Sequence, residues 1–264
     1  MPDSETLTLS IDDGLARLTL NRPDVGNAFS DVFFREFGEA VNELALRRRE
    51  VRAVLLASTG RFFSVGGDLA VFTKDLDEAP SAVLDGTYWM HPGLARLARL
   101  DAPVVAAIQG TAMGGAVAMV SNCDLVISAR SAKFGAAYSR LGFSCDLGAT
   151  FGLASRMGIA RARRFLLLAE TLDAEQALRA GLVDEVVDDD LVHETAERMA
   201  VQLSRGPTRA YGEVRRLVAR ALGTPFETQL EDEAQGLTRA AATADAREGL
   251  TAFLEKRAPV FRGE

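Results

Sequence analysis

The first half of the chain alternates short apolar runs with polar, glycine-rich turns. Residues 6–10 and 15–20 alternate between apolar and polar positions, which predicts two half-buried strands joined by a tight turn at residues 12–14. Further short strands are predicted at residues 51–57, 104–108, 124–128 and 133–137. This repetition of strand, turn and helix predicts an α/β fold.

Helix signals flank these strands and take over after about residue 190. Ser30 is placed to cap a helix whose apolar face contains Phe33, Phe37, Ala40, Val41 and Leu44. Asp68, Asp173 and Thr224 are predicted N-caps of later helices. The C-terminal helices carry broad apolar faces, including Leu250, Phe253 and Leu254, which predict a subunit interface.

Two glycine-rich turns carry the main chemical signal. They span residues 62–68 and 110–115, and each follows an apolar strand and precedes a helix start. Glycine lets bare backbone approach a ligand, and the first amides of a helix have no internal partner. If the two turns converge, two main-chain N–H groups can hold one oxyanion.

Composition and charge indicate which ligands, metals and cellular locations fit this chain. The 264 residues are 48% hydrophobic and 25% charged, as is typical of a globular protein, and the net charge of −7 argues against nucleic acid. The two cysteines, Cys123 and Cys145, are too few for a disulfide framework and lack metal-ligand spacing. We found neither signal-peptide features in residues 1–5 nor an apolar run of transmembrane length, so a cytoplasmic location without a membrane partner is expected.

The ordered motifs resemble the crotonase superfamily, also called the enoyl-CoA hydratase/isomerase family. In chain order they are LNRP and NA (within residues 20–28), FSVGGDL (63–69), APVVAAIQG (102–110), MGG (113–115), CD (123–124), AKF and LG (within 132–142) and EGLTAFLEKR (248–257). The resemblance implies an α/β crotonase (ClpP/crotonase-like) fold, with a spiral of ββα units in residues 1–190 and an α-helical trimerisation region in residues 191–264. It also implies an acyl-CoA thioester substrate, fatty acid metabolism, no separate cofactor, and a homotrimer or hexamer.

Matching positions imply the binding residues. The oxyanion-binding amides fall on Gly67 and Gly115. Contacts to coenzyme A are implied mostly for the backbone of Asp24, Val25, Gly26, Val65, Gly66 and Asp68, although many relatives carry a lysine in place of Asp24. Lys256, with Arg257, resembles basic residues that reach coenzyme A from a neighbouring subunit; a solvated helix end is the alternative.

The chain departs from the hydratases at their two glutamate positions, which match Ala118 and Tyr138. Neither residue can act as a carboxylate near neutral pH. Asp146 matches the acid of several isomerases, and the nearest likeness is to the ring-epoxide isomerase branch of phenylacetyl-CoA catabolism. We therefore predict double-bond or ring isomerisation with Asp146 as the acid/base, although relatives usually have proline where Cys145 stands. A purely structural role for Asp146, as N-cap of a helix starting near Leu147, is the competing interpretation.

Two further functions stay open on the sequence alone. The fold would also suit a weak hydratase or a catalytically silent acyl-CoA-binding protein. By the resemblance, His91 lies with Tyr88, Trp89 and Met90 on a segment that lines the acyl pocket in relatives; a satisfied or surface histidine is the favoured interpretation, and a catalytic role for it stays open. Tyr138 is interpreted as either a core or rim aromatic or a group facing the acyl chain. The aromatic residues predicted to build an apolar acyl pocket are Phe72, Tyr88, Trp89, Phe143 and Phe151.

Overall fold

In the computed structural model, which describes residues 4–264, nine strands form two sheets. The six-stranded sheet has the order β1 (Leu7–Asp12), β2 (Leu15–Leu20), β3 (Ala53–Ser58), β4 (Val104–Ile108), β6 (Leu125–Ala129) and β9 (Glu185–Val187). The three-stranded sheet has the order β5 (Ala112–Met113), β7 (Lys133–Gly135) and β8 (Thr171–Asp173). In the larger sheet only β1 and β2 pair antiparallel, so the other strands need crossover connections.

Helices supply those crossovers and the C-terminal part. They are α1 (Asp31–Leu46), α2 (Leu69–Thr73), α3 (Ala79–Arg99), α4 (Gly115–Ser121), α5 (Ala149–Met157), α6 (Ile159–Leu167), α7 (Ala174–Ala180), α8 (Val192–Ser204), α9 (Thr208–Ala221), α10 (Phe226–Ala241) and α11 (Ala244–Glu255). Short 3-10 helices occupy Pro23–Val25, Tyr138–Leu141 and Asp189–Leu191. The α/β prediction is confirmed. No helix of the described chain combines the length and apolar character needed to cross a membrane.

The predicted N-terminal hairpin is confirmed, with a longer first strand than expected. Asp13 and Gly14 have φ values of 45° and 80°, the left-handed pair that a two-residue turn requires. β1 runs on to Asp12 because every residue from Leu7 onward has a partner in β2. β3 begins two residues later than predicted, since Val51 N–H donates to the Arg47 carbonyl after α1.

Side-chain caps begin several helices as predicted. Ser30 Oγ accepts from Phe33 N–H, and the Asp68 carboxylate accepts from Ala70 N–H. Asp173 forms a reciprocal capping box with Gln176. The prediction for Thr224 is wrong: α10 begins at Phe226 without a side-chain cap, and the Thr224 hydroxyl donates backwards to the Arg220 carbonyl.

The core lies between the large sheet and helices on both sides of it. Every residue of β3 and β4 is buried, which explains their continuously apolar sequences. α1 contributes Phe33, Phe37, Val41 and Leu44, and α8 packs its buried residues Val192, Ala196 and Ala200 against β3 and β4. The first helix after residue 190 is therefore part of this core, while the division into residues 1–190 and 191–264 stays a prediction.

The last three helices, α9, α10 and α11, pack mainly on one another and on α3. Arg215 of α9 is anchored beside β6 and the end of α3, because its guanidinium donates to the carboxylate of Asp124, which precedes β6, and to the Leu97 and Leu100 carbonyls. Asp124 in turn accepts from Val104 N–H, so its role is structural. In the single chain these helices, with Leu222 at the end of α9, expose large apolar side chains: Val214, Val218, Phe226, Leu237, Leu250, Phe253 and Leu254.

Candidate active site

The two glycine-rich turns lie side by side. Ser64 N–H donates to the Thr111 carbonyl at 3.1 Å, and Met113 N–H donates to the Ser64 carbonyl at 3.0 Å. Gly66 is packed so closely against the second turn that a β-carbon on it would lie 2.5 Å from Met113 O and 3.3 Å from Gly115 N. The absence of a side chain at Gly66 therefore allows the turns to approach this closely.

The amides of Gly67 and Gly115 remain available for a ligand. Backbone bonds on either side hold the first turn to Phe29, whose N–H donates to Gly66 O and whose carbonyl accepts from Asp68 N–H. Gly115 is the first residue of α4, so its N–H has no partner within the helix. Within residues 4–264, neither the Gly67 nor the Gly115 N–H donates to a protein acceptor.

Both glycines line a cavity of about 630 Å³. Its other walls come from α1, α2, α3 and the segment 137–147. They are mainly apolar and include Phe29, Phe34, Val65, Phe72, Met90, Tyr138, Phe143 and Leu147. Among the described residues that line this cavity, Asp146 is the single carboxylate and Arg140 the single cation. An apolar cavity with few polar groups is typical of a small-molecule site.

Asp146 belongs to this cavity and does not cap a helix. α5 begins at Ala149, with Gly148 as its N-cap residue and no side-chain cap. One carboxylate oxygen, Oδ1, accepts from Leu147 N–H at 2.6 Å, which lies outside the helix. The interpretation of Asp146 as an N-cap is therefore wrong. Leu147 has φ of 53° and packs on Gly115, with Cδ1 3.1 Å from the position of a β-carbon there.

His91, on α3, contacts the same carboxylate from outside the lining of the cavity. Its Nε2 lies 2.6 Å from Asp146 Oδ1, although 55 residues separate the two in sequence. The imidazole is 52% exposed and the Asp146 side chain 36%, so the pair lies at the cavity's solvent-facing edge. The sequence interpretation of a satisfied or surface histidine describes the exposure, but it missed the contact with Asp146.

The two positions that match the hydratase glutamates have different surroundings. Ala118 is completely buried in α4 and does not line the cavity. Tyr138 does line it, and its hydroxyl donates to the Asp146 carbonyl at 3.4 Å. Burial, reinforced by the Asp146 charge, raises the pKa of Tyr138 well above its ordinary value, so its phenol stays neutral.

The residues matched to coenzyme A contacts lie mostly beside the cavity. Val65 lines it, and Val65 N–H donates to the Gly26 carbonyl at 3.0 Å. A β-carbon on Gly26 would meet Val65 Cγ1 at 2.9 Å, so segment 24–26 packs directly on the first glycine turn. Asp24, Val25, Gly26, Gly66, Asp68 and Lys256 are not among the lining residues, and their binding role stays a prediction.

Sequence reasoning identified only part of the apolar wall. Phe72 and Phe143 line the cavity and pack edge to face with centroids 5.8 Å apart, but Tyr88, Trp89 and Phe151 do not line it. Phe29 and Phe34 were missed, whereas Met90 belongs to the segment that the resemblance implied for the pocket wall. Phe34 follows Phe33, a member of the predicted core face of α1, in the sequence. This position was the only sequence feature that could have indicated its burial.

The cysteines have no visible chemical role at the site. Cys123 is buried, and this burial raises the pKa of its thiol to about 12, which keeps it protonated. Cys145 lines the cavity as a free thiol. Over residues 4–264, no three histidine, cysteine or acidic side chains are grouped closely enough to hold a metal ion.

Comparison with known proteins agrees with this architecture. The model of the family "Enoyl-CoA hydratase/isomerase" matches residues 10–264. The 1,2-epoxyphenylacetyl-CoA isomerase of Escherichia coli (strain K12) is 36% identical over 261 residues, covering 98% of this chain and 99% of that protein. The 2,3-dehydroadipyl-CoA hydratase of the same organism is 34% identical over 250 residues, covering 93% and 94%.

A solved structure shows the same fold. The enoyl-CoA hydratase of Bacillus anthracis superposes with a TM-score of 0.90 at 26% identity, covering 98% of this chain and all of that one. The predicted crotonase fold is thereby confirmed. Because the family model covers almost the whole sequence, the chain belongs to the enoyl-CoA hydratase/isomerase family of the crotonase superfamily.

Proposed function

We propose that this protein is an acyl-CoA isomerase that moves a double bond, or rearranges a ring, with Asp146 as its acid/base. The observation that carries the proposal is that Asp146 is the only carboxylate among the described residues lining the cavity that contains Gly67 and Gly115. The E. coli 1,2-epoxyphenylacetyl-CoA isomerase, which covers the chain end to end, supports this choice.

The proposed reaction begins at the thioester carbonyl. Gly67 and Gly115 donate their N–H groups to its oxygen, and the Asp146 carboxylate removes an allylic proton. The electron pair of that C–H bond moves into the conjugated system and gives an enolate, whose negative oxygen the two amides stabilise. Asp146, now a carboxylic acid, returns the proton to another carbon, and the carboxylate is regenerated.

One carboxyl suffices for isomerisation, because the same proton is taken and returned. Hydration needs one group to activate water and another to handle the α-proton. Because the chain is also similar to the E. coli 2,3-dehydroadipyl-CoA hydratase, a weak hydratase activity stays the alternative function for this protein. The buried Ala118 and the neutral Tyr138 supply no second carboxylate at the matched positions, which favours isomerisation.

The proposal also covers the cofactor requirement, the oligomeric state and the location of the protein. Coenzyme A forms part of the substrate, and the steps above use no other cofactor. The exposed apolar side chains of α9–α11, such as Val218, Phe226 and Phe253, support a homo-oligomer, proposed to be a trimer or hexamer. Two free cysteines suit a reducing compartment, and the cytoplasm is the proposed location.

The test is Asp146→Asn, which keeps the shape of the side chain and removes its basicity. Asp85→Asn, at an exposed position on α3, is the matched control. We expect Asp146→Asn to lower isomerisation of 3-enoyl-CoA to 2-enoyl-CoA by about 100-fold to 10,000-fold. Its affinity for a saturated acyl-CoA should stay unchanged, because the variant preserves the cavity walls and both amides.

The product distinguishes the three candidate functions. A hydratase would convert 2-enoyl-CoA to 3-hydroxyacyl-CoA, with loss of the conjugated-thioester absorbance. A silent binding protein would retain acyl-CoA and turn over neither isomer. Full isomerase activity in Asp146→Asn would show that another group moves the proton.

A further inference from the structure

The contact between His91 and Asp146 joins two walls of the cavity that are distant in sequence. His91 lies on α3, and Asp146 lies in the segment that leads from the 3-10 helix Tyr138–Leu141 to α5. The distance of 2.6 Å between His91 Nε2 and Asp146 Oδ1 is short for a hydrogen bond, as is usual for bonds to a carboxylate. His91 itself does not line the cavity, so it contacts the carboxylate from outside.

The two oxygens of Asp146 have unequal surroundings. Oδ1 accepts from His91 Nε2 and from Leu147 N–H, both at 2.6 Å. Among the described residues, no protein group donates to Oδ2. The carboxylate is thus held through one oxygen, and the other is left available to a substrate atom.

The required tautomer of His91 follows from the chemistry of its partner. An ionised carboxylate can only accept hydrogen bonds, so His91 Nε2 must carry a proton and donate it. A glutamine amide can donate in a similar direction, because it also bears N–H groups at the end of its side chain. Alanine at position 91 would leave Leu147 N–H as the single donor to Oδ1.

Both partners are held firmly by their surroundings. α3 packs closely on α1, since a β-carbon on Gly86 would lie 2.9 Å from Phe34 Cε2 and one on Gly93 would lie 3.3 Å from the Phe37 ring. On the other side, the Asp146 carbonyl accepts from Ala149 N–H at 3.0 Å and from the Tyr138 hydroxyl at 3.4 Å. The hydrogen bond therefore connects two fixed walls and restrains the side-chain rotation of Asp146.

We propose that His91 is a positioning residue that fixes the Asp146 carboxylate so that Oδ2 faces the reacting carbons. This inference rests on the proposed function of Asp146 as the acid/base. His91 acts through Asp146 alone: it touches no substrate atom and takes no proton from the substrate. Its loss leaves the cavity and the acyl-CoA contacts in place but lets the carboxyl rotate away from the productive geometry.

The test compares His91→Ala and His91→Gln, with His193→Ala as the control at the only other histidine. We expect His91→Ala to lower kcat for isomerisation by about 10-fold to 100-fold, the usual cost of a misplaced catalytic group. KM should stay unchanged. His91→Gln should recover most of the lost kcat, and His193→Ala should match the wild type. Thermal unfolding of each variant checks that the fold is retained.

A double variant identifies the route of the effect. In the Asp146→Asn background, His91→Ala should cause no further loss, because the group that it positions has already been removed. A His91→Ala enzyme with wild-type kcat would overturn the inference. So would an equal loss of activity with and without the Asp146 carboxylate, or a His91→Gln enzyme as slow as His91→Ala.

The two proposals fail in different ways. If the wild-type protein isomerises no enoyl-CoA, or if Asp146→Asn is fully active, the proposed function is wrong, and the role of His91 falls with it. If the wild type is active, Asp146→Asn is inactive and His91→Ala equals the wild type, only the inference about His91 is wrong.

Discussion

A β-carbon on Gly66 would lie 2.5 Å from the carbonyl oxygen of Met113, a distance that real β-carbons essentially never show. Gly66 also has φ of 86°, which side chains rarely adopt. The same hypothetical atom would lie 3.3 Å from Gly115 N, one of the two amides proposed to hold the substrate oxygen. The spacing of the two turns thus depends on a residue without a side chain.

Gly66→Ala is expected to destabilise the protein and to abolish isomerisation, because the turns must separate to admit the methyl group. Gly142→Ala is the matched control: Gly142 has φ of 73°, but no atom lies within 4 Å of its hypothetical β-carbon. The control therefore carries only the cost of the positive φ, about 1–2 kcal/mol. Urea unfolding and turnover of 3-enoyl-CoA measure both effects; equal losses of stability in the two variants would contradict the close-contact argument.

The features that the sequence predicted correctly are local ones. The apolar runs of β3 and β4 are buried on both faces, so their composition alone identifies them. The N-cap side chains of Ser30 and Asp173 accept from amides three residues away, so a short stretch of sequence is enough to predict them. The prediction for Thr224 failed because its hydroxyl donates to the carbonyl of Arg220, at the end of α9, and accepts from no amide of α10; that choice depends on how the preceding helix ends.

The features that the sequence missed depend on tertiary packing. His91 reaches Asp146 only because α3 packs on α1 through Gly86 and Gly93. The spacing of residues along the sequence does not predict that approach. The same packing places Phe34 in the cavity wall, whereas Trp89, which was expected there, does not line it. The resemblance to a family predicted Asp146 and the two glycine amides as site residues, whereas the contact of Asp146 with His91 is visible only in the structure.

Tyr138→Phe tests whether the phenol matters to catalysis. The hydroxyl donates to the Asp146 carbonyl over 3.4 Å, near the limit for a hydrogen bond, so we expect a loss of stability of about 1 kcal/mol or less near neutral pH. Turnover should stay close to that of the wild type. A drop of about 100-fold or more would instead show that the hydroxyl takes part in the reaction.

Tyr138→Phe should also change how the free energy of unfolding depends on pH above about pH 10. Burial raises the pKa of Tyr138 in the folded protein above that of a free tyrosine, about 10, so its neutral form is favoured by folding. Its contribution is complete below pH 10 and is lost as the pH rises further, because the unfolded chain then ionises first. The free energy of unfolding of the wild type should therefore fall relative to that of Tyr138→Phe above about pH 10. A constant difference from pH 8 to pH 11 would contradict this assignment.

Glu248 fastens the C-terminal segment to α11. Its Oε1 accepts from Arg257 Nη1 at 2.6 Å and from Val260 N–H at 2.9 Å, and its Oε2 accepts from Arg257 Nη2 at 2.9 Å. The paired guanidinium lowers the pKa of Glu248 from its ordinary value of 4.5 to about 2. Arg257 is thus engaged within its own chain, while Lys256 next to it ends the helix in a left-handed conformation.

Glu248→Gln should therefore loosen the segment after α11 at neutral pH, measured as faster hydrogen exchange at Val260. Because the folded pKa lies below the unfolded one, the carboxylate stabilises this segment fully above about pH 4.5 and loses its effect as the pH falls towards 2. At each pH the exchange rate of the variant is compared with that of the wild type, and the difference should narrow from pH 5 to pH 3. Glu255→Gln is the control, since Glu255 pairs with Arg257 Nε but does not accept from Val260 N–H. A difference that stays constant over this range would show that the hydrogen bonds of Glu248 do not depend on its charge.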